Sequence, residues 1–193
     1  MGAGHLKVVC NLYNNLCNVT TMNISIRPEQ AADIDEIFEL NKLVFGQENE
    51  ARLVDHVRQG PNFIPQLSLV AFSDDNLIGY ILFSQITVTN GDFRHHSLGI
   101  TSMAVHPDYQ KRGVGAKLIT SGLQLATALG YTDVLVLGHE HYFPKFGFLP
   151  AARWHIRPPF EVPTEVFMAL ELTPNALKNV SGIVEFPIEF SVI

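Results

Sequence analysis

Val105-His106-Pro107-Asp108-Tyr109-Gln110-Lys111-Arg112-Gly113-Val114-Gly115-Ala116-Lys117 joins two kinds of pattern. An apolar, strand-like run from Ile100 to Val105 leads into it, and a helical pattern leads out. Between them Gln110-x-x-Gly113-x-Gly115 makes a turn with two glycines where the helix begins. A helix N-terminus carries unpaired N–H groups and a partial positive charge, so it attracts phosphate. Gly113 and Gly115 place no side chain between that backbone and a pyrophosphate. Lys111 and Arg112 add fixed positive charge beside it. Two glycines at a helix start are common and carry little weight alone. The sequence has no Gly-x-x-x-x-Gly-Lys-Ser/Thr, so a nucleotide P-loop is not supported, and Leu118 stands where a dinucleotide fingerprint needs its third glycine.

The surrounding chain gives this turn its context. Ile24-Ser25-Ile26-Arg27 alternates like a first strand. Asp33 opens a helix with Glu36 three residues on, in a capping-box arrangement, and Ile34, Ile37, Phe38, Asn41 and Val44 follow at helical spacing. A shorter helix is expected over Glu48 to Arg58. Leu67 to Phe72 and Leu77 to Val88 read as strands, and Asn90-Gly91 as a hairpin turn whose residues tolerate positive φ. Leu98 to Val105 is the fourth strand. Val114, Leu118, Leu125 and Leu129 stripe the next helix, which Gly130 ends. Val134 to Leu137 is a continuous apolar run, as a strand buried on both faces requires. A short helix near His141 to Phe146 and strands over Val166 to Leu172 and Ile183 to Phe186 complete the pattern.

The 193 residues and 47% apolar content suit one domain with a full core. No apolar run approaches the ~18–20 residues of a membrane helix. The net charge of -6 disfavours nucleic-acid binding. Both cysteines, Cys10 and Cys17, fall within residues 1–21, an Asn-rich leader without a signal peptide's apolar run or cleavage site. The body, residues 22–193, therefore needs no disulfide and has no thiol nucleophile. These features point to a cytoplasmic protein with a loosely ordered leader followed by one domain.

Gln110-Lys111-Arg112-Gly113-Val114-Gly115 resembles the acyl-CoA pyrophosphate loop of the GCN5-related N-acetyltransferases (GNAT), Gln/Arg-x-x-Gly-x-Gly/Ala. His106-Pro107 is similar to that family's strand-ending segment. Tyr142-Phe143-Pro144-Lys145-Phe146-Gly147-Phe148 resembles its second signature, an aromatic-rich helix ending in Gly-Phe. Two signatures in the right order are far more specific than either alone, and the resemblance covers roughly Met22 to Phe190. It implies an α/β (α+β) fold: a mixed, mostly antiparallel sheet with one parallel pair, strands four and five, and helices on both faces.

The resemblance also implies a mechanism. Strands four and five splay apart, and the pantetheine arm of acetyl-CoA, the co-substrate, bonds to the backbone of Met103, Ala104 and Val105. Gln110, Lys111, Arg112, Gly113, Val114, Gly115 and Ala116 then cradle the pyrophosphate. An amine of a small molecule or peptide attacks the thioester directly, which needs a base, donors for the carbonyl oxygen and a proton for the leaving thiolate. Many relatives carry a tyrosine where this chain has Phe143, so Tyr142, one residue earlier, is the candidate acid. The alternatives are water or the outgoing ammonium proton, with Tyr142 a half-buried packing aromatic. A strand-four glutamate is also missing, since Ile100-Thr101-Ser102-Met103 offers none. His139 is then the candidate base, with Glu140 beside it and a titration range suited to neutral pH. His95-His96 and His139-x-His141 lack a third ligand of convincing spacing, so no metal is expected. A non-catalytic acyl-CoA sensor or scaffold is the alternative, and a longer acyl group a lesser one. The acceptor depends on the loops around Phe45 to Gln66 and Arg153 to Pro163. No membrane or nucleic-acid partner is expected, and a homodimer is left open.

Overall fold

The computed structural model describes residues 22–187 and Phe190. The leader, with Cys10 and Cys17, lies outside the described residues. The elements run β1 (Ile24–Pro28), α1 (Ile34–Phe45), α2 (Asn49–Gln59), β2 (Phe63–Ser73), β3 (Asn76–Asn90) and β4 (Phe93–Val105). Then follow α3 (Val114–Ala128), β5 (Asp133–Leu137), β6 (Leu149–Pro150), β7 (Ile156–Arg157), β8 (Phe167–Glu171) and β9 (Gly182–Glu185). The strands form one sheet in the order β1-β2-β3-β4-β5-β8-β6, antiparallel except for β4 and β5, which α3 connects. On β3, β9 pairs with Thr87 to Thr89, past the end of the β2 pairing at Ser84, and β7 adds a short parallel bridge to β9. No described helix is long and apolar enough to cross a membrane.

Helices cover both faces, so the inner strands are apolar at consecutive positions rather than alternately polar. Alternation survives in the direction each residue packs. Leu69, Ala71, Ile81 and Phe83 join the cluster under α3, while Val70, Tyr80 and Leu82 join the one under α1 and α2. A third cluster, including Ile86, Leu135, Phe167 and Val184, fills the region where β9 and β8 close the sheet. Glu29, nearly buried, accepts hydrogen bonds from Arg58 of α2 and from Ser68 and Tyr80 of the sheet, and so ties that helix layer down.

Four local expectations are revised. Asp33 is buried and does not cap α1; its carboxylate turns back to accept from the Gln30 N–H at 2.7 Å and pairs with Arg27 at 2.6 Å, so the reciprocal cap forms one turn earlier. The β3–β4 hairpin takes its positive φ at Gly91 alone, and Asn90 remains in the strand, paired with Phe93. Leu129 follows the end of α3 and is exposed, while Val114, Leu118, Ile119, Gly122 and Ala126 form the buried stripe. The segment near His141 is not an α-helix but a single tight 3₁₀ turn, Phe143–Phe146, which Gly147 ends at φ +92° with its N–H donating to the Pro144 carbonyl.

Candidate active site

The parallel pairing of β4 with β5 is only two residues long, Leu98 with Val134 and Gly99 with Leu135. Its closed end is clamped. Asp133 is fully buried at the start of β5 and accepts hydrogen bonds from Thr132, Ser97 and His95, the last at 2.8 Å. Past Gly99 the two strands diverge, and β5 continues with β8 while β4 continues with β3. A V-shaped gap opens there.

A bulge re-aims β4 at this gap. Ser102 pairs with Leu82 but Ile100 pairs with Phe83, so Thr101 is an extra residue. Before it, even-numbered Leu98 and Ile100 pack toward α3; after it, odd-numbered Met103 and Val105 do. Ser102 and Ala104 turn the other way, Ser102 donating to buried Asn41 of α1 at 2.7 Å. Two cavities flank the gap, and consecutive residues on both sides divide between them. Val105, Met103, Gly138 and Val166 line a groove of about 1020 Å³ on the α3 side. Ile100, Thr101, Leu137 and Phe167 line a second cavity of about 750 Å³.

The groove begins at the glycine turn. Gly113, at φ +87°, is the N-cap of the 15-residue α3, with Lys111 also left-handed at φ +59°. An added Cβ on Gly113 would meet nothing within 4 Å, so the glycine is there for its backbone, not for space. The first bond of the helix runs from the Lys117 N–H to the Gly113 carbonyl, which leaves the N–H groups of Val114, Gly115 and Ala116 without intrahelical acceptors. No acidic residue in that first turn offsets the helix dipole. Gln110 braces the turn by donating from its side-chain amide to the Val105 carbonyl at 3.1 Å.

Of the residues expected to hold the cofactor, Met103, Val105, Gln110, Lys111, Gly113, Val114, Gly115 and Ala116 line the groove. Ala104 is not among them, since its methyl group is buried with Tyr80 and Leu82 on the opposite face. Arg112 is turned aside, with its guanidinium over the Tyr109 ring, 5.8 Å from the centroid.

The aromatic signature divides its two rings. Phe143 is buried against Phe148 and directly beneath Gly138, where a Cβ would fall 2.3 Å from the ring. Tyr142 instead lines the groove, ringed by Phe143 and Phe146 edges, and its hydroxyl lies over Gly115, beside Met103 and Val105. Only glycine leaves room there, since a Cβ on Gly115 would sit 2.6 Å from the hydroxyl oxygen. The 3₁₀ geometry thus puts the hydroxyl in the groove although it stands one residue early in sequence. Burial pushes the Tyr142 phenol pKa up, so it holds its proton through the neutral range.

His139 is exposed and lines the same groove as Tyr142, its carbonyl accepting the Tyr142 N–H at 2.9 Å. Of the other histidines singled out in the sequence, His95 bonds Asp133, His96 contacts Gln85 and Thr87, and His141 lies against Glu140 at 3.3 Å in solvent. Among the described residues no three His, Cys, Asp or Glu gather as a metal site. The second cavity was not legible beyond Leu53, Pro159 and Phe160, which belong to the two loops singled out; Glu185, Phe186 and Phe190 also line it.

Residues 34–148 match the model of the acetyltransferase (GNAT) family. The chain belongs to that family. Among its relatives, the uncharacterised N-acetyltransferase YhbS of Escherichia coli is 32% identical over 167 residues, 86% of this chain and 98% of YhbS. YjhQ of E. coli K12, also an uncharacterised N-acetyltransferase, is 33% identical over 149 residues, 76% of this chain and 82% of YjhQ. The crystal structure of E. coli YhbS in complex with CoA superimposes with a TM-score of 0.81 at 30% identity, covering 88% of this chain and 93% of that one. A GNAT acetyltransferase from Brucella melitensis in complex with acetyl-CoA gives a TM-score of 0.71 at 26% identity, covering 88% and 99%. This chain is thus a GNAT acetyltransferase by fold, sequence and arrangement of signatures.

Proposed function

We propose that the α3-side groove binds acetyl-CoA and that an amine entering from the second cavity attacks the thioester directly in a ternary complex. The observation that carries this reading is the pair of cavities on either side of the β4–β5 gap, divided by consecutive residues of its walls, with the Tyr142 hydroxyl beside Gly115, Met103 and Val105. The N–H groups of Val114, Gly115 and Ala116, with Lys111, hold the pyrophosphate. The backbone of Met103 to Val105 holds the pantetheine arm as a false strand. The CoA and acetyl-CoA complexes of the YhbS and Brucella relatives support this placement.

The amine nitrogen forms a bond to the acetyl carbon, the carbon–sulfur bond breaks, and the thiolate takes a proton from Tyr142, whose phenolate recovers one from the acylated nitrogen. His139 accepts the proton that the ammonium must lose before attack. Holding both reactants across one gap supplies much of the acceleration. The sensor or scaffold alternative rests on Phe143 having no hydroxyl and on the missing strand-four glutamate; Tyr142 in the groove answers the first and favours catalysis.

Release of CoA from acetyl-CoA with a panel of primary amines tests the reaction. Tyr142→Phe is expected to lower turnover by roughly 10²–10⁴, with acetyl-CoA affinity little changed. Full activity in that variant would remove Tyr142 as the acid.

A further inference from the structure

We propose that the acceptor is a small primary amine carried on an apolar, aromatic or branched hydrocarbon body. This deepens the transferase reading and rests on it. Its ground is the second cavity, whose roughly 750 Å³ lies within the range of small-molecule sites. Leu53, Ile86, Ile100, Leu137 and Ile183 give it aliphatic walls.

One wall is aromatic. Phe160 stacks on Phe186, with centroids 6.0 Å apart and planes 12° from parallel, and Phe186 lies 5.2 Å from Phe190. Phe160 remains 47% exposed, a large apolar surface that a hydrocarbon ligand would cover.

Charge argues the same way. The carboxylate among the lining residues is Glu185, half exposed at the rim and already paired with Arg94 at 3.0 Å. A polyamine or an aminoglycoside brings several cations, and among the described residues this cavity offers them no carboxylate besides Glu185. At the bulge the lining residue Thr101 offers a hydroxyl, 2.6 Å from that of buried Ser84. An amine therefore points its nitrogen toward Thr101 and the gap, with its body between Ile100 and the phenylalanine wall.

Calorimetry on the full chain saturated with CoA tests this, with phenethylamine, spermidine and a lysine-containing peptide as probes, alongside CoA release from acetyl-CoA. Phenethylamine is expected to bind at least ~10-fold more tightly than the other two, a difference of ~1.4 kcal/mol. Phe160→Ala and Ile183→Asp, both at exposed positions, are expected to weaken it by ~10-fold while CoA affinity is kept. Saturable phenethylamine binding that responds to both substitutions but releases no CoA upholds the cavity and refutes the transfer reading. Three results would overturn the proposal: tighter binding of spermidine or the peptide, no saturable phenethylamine binding, or binding indifferent to both substitutions.

Discussion

Gly115→Ala separates the two tasks of the glycine turn. Gly115 sits inside α3 with ordinary negative φ, so its backbone accepts alanine, and the family pattern Gly-x-Gly/Ala admits it. Helix propensity alone favours the change by up to ~1 kcal/mol, a rise in Tm of at most ~4 °C for a chain of this length. The new Cβ would stand 2.6 Å from the Tyr142 hydroxyl oxygen, about 0.8 Å short of the 3.4 Å at which ordinary contact begins. The Met103 and Val105 methyls, at 3.6 Å, need not move. The phenol is the free end of a half-buried side chain, so it yields cheaply and the fold survives. Its displacement, close to 1 Å, is expected to cost turnover ~10–100-fold. The assay is a double-mutant cycle: kcat, acetyl-CoA affinity and Tm for Gly115→Ala, Tyr142→Phe and both together. If the hydroxyl is the mediator, Gly115→Ala adds no further loss in the Tyr142→Phe background, where the clashing atom is gone. An equal loss of kcat in both backgrounds, or none in either, would refute the reasoning.

Gly113→Val meets open space but must hold φ near +87°, a strain of ~1–2 kcal/mol for a residue with a side chain. It is expected to weaken CoA binding at least tenfold, about 1.4 kcal/mol, and unchanged affinity by calorimetry would remove the turn from the cofactor site. A chain beginning at Met22 is expected to melt within a few degrees of the full one, because β1 starts only at Ile24; a large drop in Tm would mean that residues 1–21 pack on the domain. Hydrogen bonding from Arg27, with help from the Gln30 N–H, holds the Asp33 carboxyl below the usual carboxylate range against the cost of burial. Its folded pKa being depressed, the stability it contributes is present above the ordinary carboxylate range and is lost as pH falls through the folded value. Asp33→Asn should therefore cost ~1–2 kcal/mol at neutral pH and flatten the acid limb of Tm against pH; limbs of equal slope would show that Asp33 does not report on folding.

The parts of this molecule that were legible in the sequence are those governed by short-range rules. Gly113 announces a helix N-terminus because its freedom at positive φ is local, and the apolar run Val134 to Leu137 announces a strand covered on both faces. Tyr142 was harder. Counting from Gly147 puts Phe143 in the hydroxyl's place, and only the tight turn at Pro144, with Phe143 drawn under Gly138, shows which ring enters the groove. The second cavity was least legible. Its walls come from α2, the loop at Phe160 and β9, which are brought together by the pairing of β9 with β3, and no periodicity in the sequence encodes that pairing. The leaning of Asp33 toward Arg27 was likewise a tertiary choice, since its spacing to Glu36 suited a local cap equally well.

The extra residue at Thr101 gives β4 a division of labour along its length. Gly99, Ile100 and Thr101 line the second cavity and Met103 and Val105 line the α3-side groove, so a substitution in one set leaves the other set's side chains where they were. Acceptor preference can thus drift at Gly99, Ile100 and Thr101 without loss of the cofactor grip at Met103 and Val105. Deleting Thr101 would remove the bulge and set Ser102 directly after Ile100 in a regular ladder, so Met103 and Val105 would keep their face while the second cavity lost a polar wall residue.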